Sequence, residues 1–503
     1  MYFFMYTIVI IYNDFLEAHM FTSELLLRFF NLLFFINIIF ALAVVFIERK
    51  NPASTWTWLM VLLFFPSIGF ILYLFLGQNL KRKKMFSLKK EEKENLTSII
   101  DKQKAFLSNE ALIKNSPFLN KYHDMMKLNL CSDNAFYTSN NQVTIFTDGK
   151  SKFDQLKETL ENAKVYIHME YYIFQRDNLG KTILQILCKK AKEGVEVNLL
   201  YDGMGCLKVP KSFFAPLIEA GGKVAIFFPP FVPYINLRLN FRNHRKICTI
   251  DGKYGFIGGF NVGDEYLGLS KRFGFWRDTH LFIQGDAIDA LELHFLLDWR
   301  FAANEDSIFD TKYFPHRTHL GKTGLQMVSS GPDSTFNSIK NGYLKMISKA
   351  EKNIYIETPY FIPDDSILEA LRIASLSGID VRIMIPSKPD HPFVYWASTS
   401  YMGELLESGV KCYTYTKGFL HSKFLSIDGY ISSVGTANLD IRSFTLNFEI
   451  NAFIYDKDIT SKLDEFFIDD LKFCDELTLE KYTNRSLAVK FKESVSRLLS
   501  PIL

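Results

Sequence analysis

The chain has 503 residues, room for two or three domains, and a net charge of +3 that is too small to argue for a nucleic-acid partner. It is 48% hydrophobic, with 48 Phe and 24 Tyr, and only 22% of its residues are charged, which is apolar for a soluble enzyme. Six scattered cysteines without Cys-x-x-Cys or metal-ligand spacing argue against a disulfide framework or a zinc site, and fit reduced thiols.

The apolar excess sits at the front. Met1 to Tyr12 is too short to span a bilayer and lacks the basic lead and small-residue cleavage site of a signal peptide. Residues 29–47 and 56–76 carry no charge. Each is long enough for a hydrocarbon core of about 30 Å at about 1.5 Å per residue. Two transmembrane helices are therefore expected within a membrane region 1–80, the second kinked at Pro66 and Gly69; a buried core helix is the alternative. Lys81, Arg82, Lys83, Lys84, Lys89, Lys90 and Lys93 follow, whereas the loop between the spans has only Arg49 and Lys50 against Glu48. The positive-inside rule then keeps everything after residue 80 in the cytoplasm, and the basic run attracts anionic lipid.

Residues 81–135 read as a lysine-rich helical connector, after which the chain repeats itself. VYIHMEYYIF (Val165 to Phe174) parallels IYIETPYFIP (Ile354 to Pro363), and GVEVNLLYD (Gly194 to Asp202) parallels GIDVRIMIP (Gly378 to Pro386). The last two each follow an amphipathic helix, and β-rich runs alternating with helices predict α/β domains at 136–320 and 321–503. The strongest repeat is His-x-Lys, four residues, Asp, six residues, Gly, two residues, Asn. It runs through His244, Lys246, Asp251, Gly258 and Asn261, and again through His421, Lys423, Asp428, Gly435 and Asn438. A His and a Lys two apart on an extended strand leave the same face, so two copies can bring two imidazoles and two ammonium groups to one phosphate. Asp251 and Asp428 stand in both motifs but precede Gly, a hairpin-turn signal, and read as turn-fixing groups.

This duplicated pattern resembles that of the phospholipase D superfamily over roughly residues 136–470, and the flanks narrow the likeness. Glu48 to Gly77, Ile167 to Phe174 and Asn438 to Ile450 resemble bacterial cardiolipin synthases of that superfamily. The resemblance implies a pseudo-two-fold pair of phospholipase D-like α/β domains with the site at their seam. It also implies orienting acids some 25 to 35 residues after each His. Asp278 fits that window for the first copy, with Asp264 and Glu265 as runners-up, and Glu449 fits it for the second.

One neutral imidazole attacks phosphorus and the other, protonated, serves the leaving group. Lys246 and Lys423, with Gly259, Asn261, Thr436 and Asn438, are the candidates to meet the phosphate oxygens. Family precedent makes the first copy the nucleophile, and the flanking Arg242 and Arg245 would depress His244 selectively. Tyr172, Arg300 and Arg442 are further pocket candidates, and His168 is the one other histidine placed close ahead of a motif. The implied reaction joins two phosphatidylglycerol molecules into cardiolipin at a bacterial cell membrane, with no cofactor and no metal. A lipid hydrolase, a membrane-bound nuclease and an inactive scaffold are the alternatives; the last would be expected to have lost one of the four His and Lys.

Overall fold

The computed structural model describes residues 28–29, 31–32, 34–43, 45, 52–65, 69, 73, 90–109, 117–229, 240–305 and 310–500. Two units emerge: 1–79 with 231–240, and 80–230 with 241–503. In the first unit, Pro52–Phe64 is a helix and residues 34–43 are helical, joined where the Asn37 amide donates to the Leu62 carbonyl at 2.9 Å. Among the described residues no helix is long and apolar enough to cross a membrane. The 13-residue helix reaches about 20 Å, short of a hydrocarbon core of about 30 Å. The two transmembrane helices expected from sequence are thus not borne out, and parts of both segments lie outside the described residues. So do Met1 to Tyr12, Pro66 and the basic positions 81–84 and 89.

The second unit holds both sequence repeats. The first half is built on an eight-stranded sheet in the order Gly418–Leu420, Phe275–Gly285, Tyr254–Gly258, Lys246–Ile250, Tyr166–Tyr171, Glu196–Asp202, Lys223–Phe227, with Asn141–Asp148 paired to Phe275–Gly285. The second half repeats this order as Asn447–Tyr455, Ile431–Gly435, Phe424–Ile427, Asn353–Glu357, Asp380–Pro386, Lys411–Tyr415, with Gly324–Ser330 paired to Asn447–Tyr455. Each parallel step is crossed by a helix whose apolar side is buried, such as Asn178–Lys192 over Ile183 and Leu187, and Asp365–Leu376 over Ile367 and Leu371. Strand faces and helix stripes therefore bury one another, as an α/β layer requires.

Strand register refines the repeat. Glu170 pairs with Ile247 and Glu357 with Phe424, so Glu170 is the structural counterpart of Glu357. The matching of Val165 with Ile354 is two residues out, because both segments are aromatic and β-rich and slide over one another without losing likeness. Two further placements depart from the linear division. Helix Pro117–Asp133, read as connector, contributes Tyr122, Met125, Met126 and Leu130 to the core of the second half. Tyr137–Thr138 pairs with Gly324–Ser330 of that same half.

The two halves also exchange strands. Gly418–Leu420 runs parallel to Phe275–Arg277 of the first sheet, and Arg242–Asn243 runs parallel to Asn447–Phe448 of the second. Each is the stretch that leads into a His-x-Lys motif, so each motif starts against the other half's sheet.

Candidate active site

That exchange decides which acid meets which histidine. The His244 amide donates to the Phe448 carbonyl, and the His421 amide to the Arg277 carbonyl. The next residue on each partner strand is a carboxylate. His244 Nδ1 lies 3.0 Å from both oxygens of Glu449, and His421 Nδ1 lies 2.7 Å from Asp278 Oδ2. Asp278 and Glu449 are the acids expected from sequence, with the pairing crossed. Asp264 instead accepts the Leu179 amide at 2.8 Å at the start of the helix Asn178–Lys192. An Nδ1–H donated to a carboxylate fixes the tautomer and leaves Nε2 for chemistry.

Lys246 Nζ donates to the His244 carbonyl at 2.6 Å, and Lys423 Nζ to that of His421 at 2.5 Å. Each motif thereby folds back on itself and holds ammonium beside imidazole. Burial is the largest influence on both histidines. It draws each down to about 4, opposed by Glu449 or Asp278 and reinforced by the motif lysines. Burial likewise lowers Lys246 to about 7 and Lys423 to about 8. The selective depression of His244 expected from Arg242 and Arg245 is absent. Arg245 leaves the opposite face of the motif and pairs with Asp298 at 2.5 Å.

The other motif residues make contacts within the fold. Asp251 and Asp428 have φ of 54° and 55°, each followed by a positive-φ Gly in the hairpin turn. Asp251 accepts the amides of Lys164, Val165 and Tyr166, and Asp428 those of Glu351, Lys352 and Asn353. A Cβ at Gly259 would fall 1.9 Å from the Asp278 carboxylate, so only glycine clears that acid. Thr436 Oγ1 donates to the Ile450 carbonyl, Asn261 bridges the Ile173 amide and Tyr266 hydroxyl, and Asn438 donates to Asp440. Tyr172 stands edge-on to His244 at 4.9 Å. His168 lies elsewhere, buried on Glu292 at 2.6 Å; burial draws its pKa down, but Glu292 and Glu196 raise it overall. Among the described residues no three His, Cys, Asp or Glu group as a metal site would need.

Sequence reasoning missed the layer behind the histidines. Arg245 also donates to the Glu449 carbonyl at 3.3 Å, and Arg277 to the Asp278 carbonyl at 2.8 Å while pairing with Asp470 at 2.5 Å and Glu357 at 3.5 Å. Each arginine thus pins the backbone of an orienting acid. Asn243 bonds the buried Glu170, whose pKa burial and Asp298 raise, and burial pushes Glu357 to about 7. The signal was available in Glu170 and Glu357, a repeated acid in an apolar strand, but only in the register two residues away from the one that sequence likeness favours.

A family model described as "Cardiolipin synthase, PLD-like domain" matches residues 156–279 and 343–471, one match per half, and one described as "Phospholipase_D-nuclease N-terminal" matches residues 35–78. A protein named cardiolipin synthase from Staphylococcus aureus strain Mu50 is 54% identical over 471 residues, 93% of this chain and 95% of its own length. The chain belongs to the cardiolipin synthase family. It is an enzyme, a phosphatidyltransferase of the phospholipase D type. Another member, named cardiolipin synthase from Listeria monocytogenes serotype 4a, is 50% identical over 94% of this chain and 98% of its own. Among solved structures, phosphatidylserine synthase of Haemophilus influenzae shares the fold at a TM-score of 0.57 and 16% identity, covering 76% of this chain and all of that one.

Proposed function

We propose that the chain makes cardiolipin from two molecules of phosphatidylglycerol, releasing glycerol. The observation that carries this reading is the pair of histidines at one seam, each held through Nδ1 by the other half's carboxylate and flanked by a motif lysine. Close relatives named cardiolipin synthase support the choice of product.

In the proposed sequence His244 Nε2 attacks the phosphorus of the donor, the P–O bond to its headgroup glycerol breaks, and protonated His421 gives that alkoxide its proton. The chain then carries a phosphatidyl group on nitrogen. A headgroup hydroxyl of a second phosphatidylglycerol loses its proton to His421 and attacks phosphorus, the P–N bond breaks, and His244 is restored. One diester replaces another, so no energy-rich co-substrate is required. The two lysines balance charge on the non-bridging oxygens, in a buried setting where that attraction is strong. Neutral imidazole is the form His244 needs, and a bound phosphate anion supplies the field that protonates His421.

The apolar amino-terminal region ties the enzyme to the bilayer that holds both substrates, with the catalytic part on the cytoplasmic side. Phe34, Phe35, Leu63 and Phe64 are 59–70% exposed, an apolar surface suited to lipid. Incubating the purified full chain in detergent with phosphatidylglycerol alone should yield cardiolipin and glycerol in equal amounts by mass spectrometry. Phosphatidic acid in place of cardiolipin would make the enzyme a hydrolase.

A further inference from the structure

A surface helix of a globular domain ordinarily turns its apolar stripe inward and its polar side out. The helix Leu487–Leu498 does the reverse. Its buried residues are Glu493 and Ser496, while Leu487, Phe491 and Leu498 are 83%, 71% and 81% exposed. The three recur at spacings of four and seven, so at about 100° per residue they fall on one outer stripe. Ser486 caps the start by accepting the Val489 amide, which makes this a formed element with a defined face.

The inner side is held by polar and charged contacts. Glu493, the one acid of the helix, accepts from Arg485 at 2.6 Å. Arg497 pairs with Glu404 and lies 4.3 Å from the Tyr401 ring centroid, and the Lys492 ammonium stands 5.2 Å from that of Trp396. Glu404, Tyr401 and Trp396 all belong to the helix Pro392–Leu406. That helix reaches the second motif: its Ser398 hydroxyl accepts the Phe361 amide at 3.0 Å, and Phe361 pairs with Leu439, the residue after Asn438. The outward helix is thus two packing steps from the site.

Charge says what covers the outer stripe. Lys490 falls on one flank of it and Lys492 on the other, while the only acid is turned inward. A second copy laid on the same face would bring lysines against lysines with no acid of the helix to pair them. An anionic lipid surface meets both needs, because long basic side chains reach headgroup phosphates while neighbouring apolar groups enter the acyl boundary. We propose that Leu487–Leu498 is a membrane-surface contact of the catalytic unit. Leu487, Phe491 and Leu498 enter an anionic bilayer, Lys490 and Lys492 meet its phosphates, and the site is held against the lipid it draws from. The assignment rests on the substrates being lipids, whichever product forms.

The full chain in vesicles of equal phosphatidylglycerol and phosphatidylcholine tests this. Phe491→Trp adds an indole whose emission is read as the difference from wild type. Phosphatidylglycerol brominated along its acyl chains should quench that added emission roughly twofold or more, and Lys490→Gln with Lys492→Gln should reduce the quenching. An unquenched indole overturns the proposal, whether it stays open to water or is covered by a second copy, which sedimentation in detergent would identify. Quenching undiminished by the lysine changes overturns the choice of an anionic surface. Turnover gives an independent reading. Phe491→Glu with Leu498→Glu should lower the rate on vesicle lipid roughly fivefold or more, yet leave both the unfolding temperature and the rate on monomeric short-chain phosphatidylglycerol unchanged. Equal loss on both substrates would mark a purely structural helix and overturn the proposal, as would no loss on either. Cardiolipin and phosphatidic acid report turnover equally well, so a failure of the transfer reading is told apart from a failure of the membrane contact.

Discussion

At the scale of single residues the site rests on two hydrogen bonds that cross between halves. Replacing Asp278 with Asn exchanges the carboxylate that fixes His421 for a neutral amide that can also donate, so the tautomer is no longer fixed, and replacing Glu449 with Gln does the same to His244. Each variant should lower kcat by about 10²–10⁴-fold, the range expected when a general acid–base loses its tautomer. Nitrogen-15 spectra of the histidines discriminate the pairing. Asp278→Asn should shift His421 and leave His244 in place, and the converse result would restore the within-copy pairing expected from sequence. Protonation gives a second prediction. The free site holds two neutral imidazoles down to about pH 4, whereas the proposed transfer needs His421 protonated in the complex. Binding of a phosphodiester headgroup should take up protons at pH 7, and affinity should rise as pH falls toward about 4. Calorimetry in buffers of different ionisation enthalpy measures this, and a buffer-independent heat would contradict it.

At the scale of elements the motif divides its labour. His and Lys face the site, while Asp251 and Asp428 hold each hairpin to the strand beside it through three main-chain amides apiece. Asp251→Asn and Asp428→Asn should therefore cost stability, about 1–3 kcal/mol each, because amides that a carboxylate accepted lose part of their bonding. Activity per folded molecule should stay near wild type, which thermal unfolding and specific activity at low temperature would check together. The spacing of the motif made the two His-x-Lys segments and their turns legible, since His–Lys spacing and Asp-Gly chemistry are local. Asp278 and Glu449 were legible as residues, but their partners were not. Strand pairing between Leu420 and Arg277 is a contact across 143 residues, and no local pattern records it. Helix Pro117–Asp133 was misjudged for the same reason. Its lysines suggested a connector, while its contacts with Gln326 and Tyr455 lie some two and three hundred residues away.

Over the whole molecule, duplication and exchange make each half complete the histidine of the other. Each half supplies a histidine, a lysine and the acid for the other half's histidine, so neither half holds a complete catalytic group. Apolar length predicted two spanning helices; among the described residues the helix Pro52–Phe64 is 13 residues long and several of its large side chains are exposed. The central claim is that both halves share a single phosphate and that His244 carries the phosphatidyl group. Mixing the full chain with radiolabelled phosphatidylglycerol, quenching rapidly under denaturing conditions and mapping the labelled peptide tests it most directly. At most one phosphatidyl group per chain is expected, on the peptide containing His244 and absent from His244→Ala. Two groups per chain, or label on any residue other than His244, would contradict it.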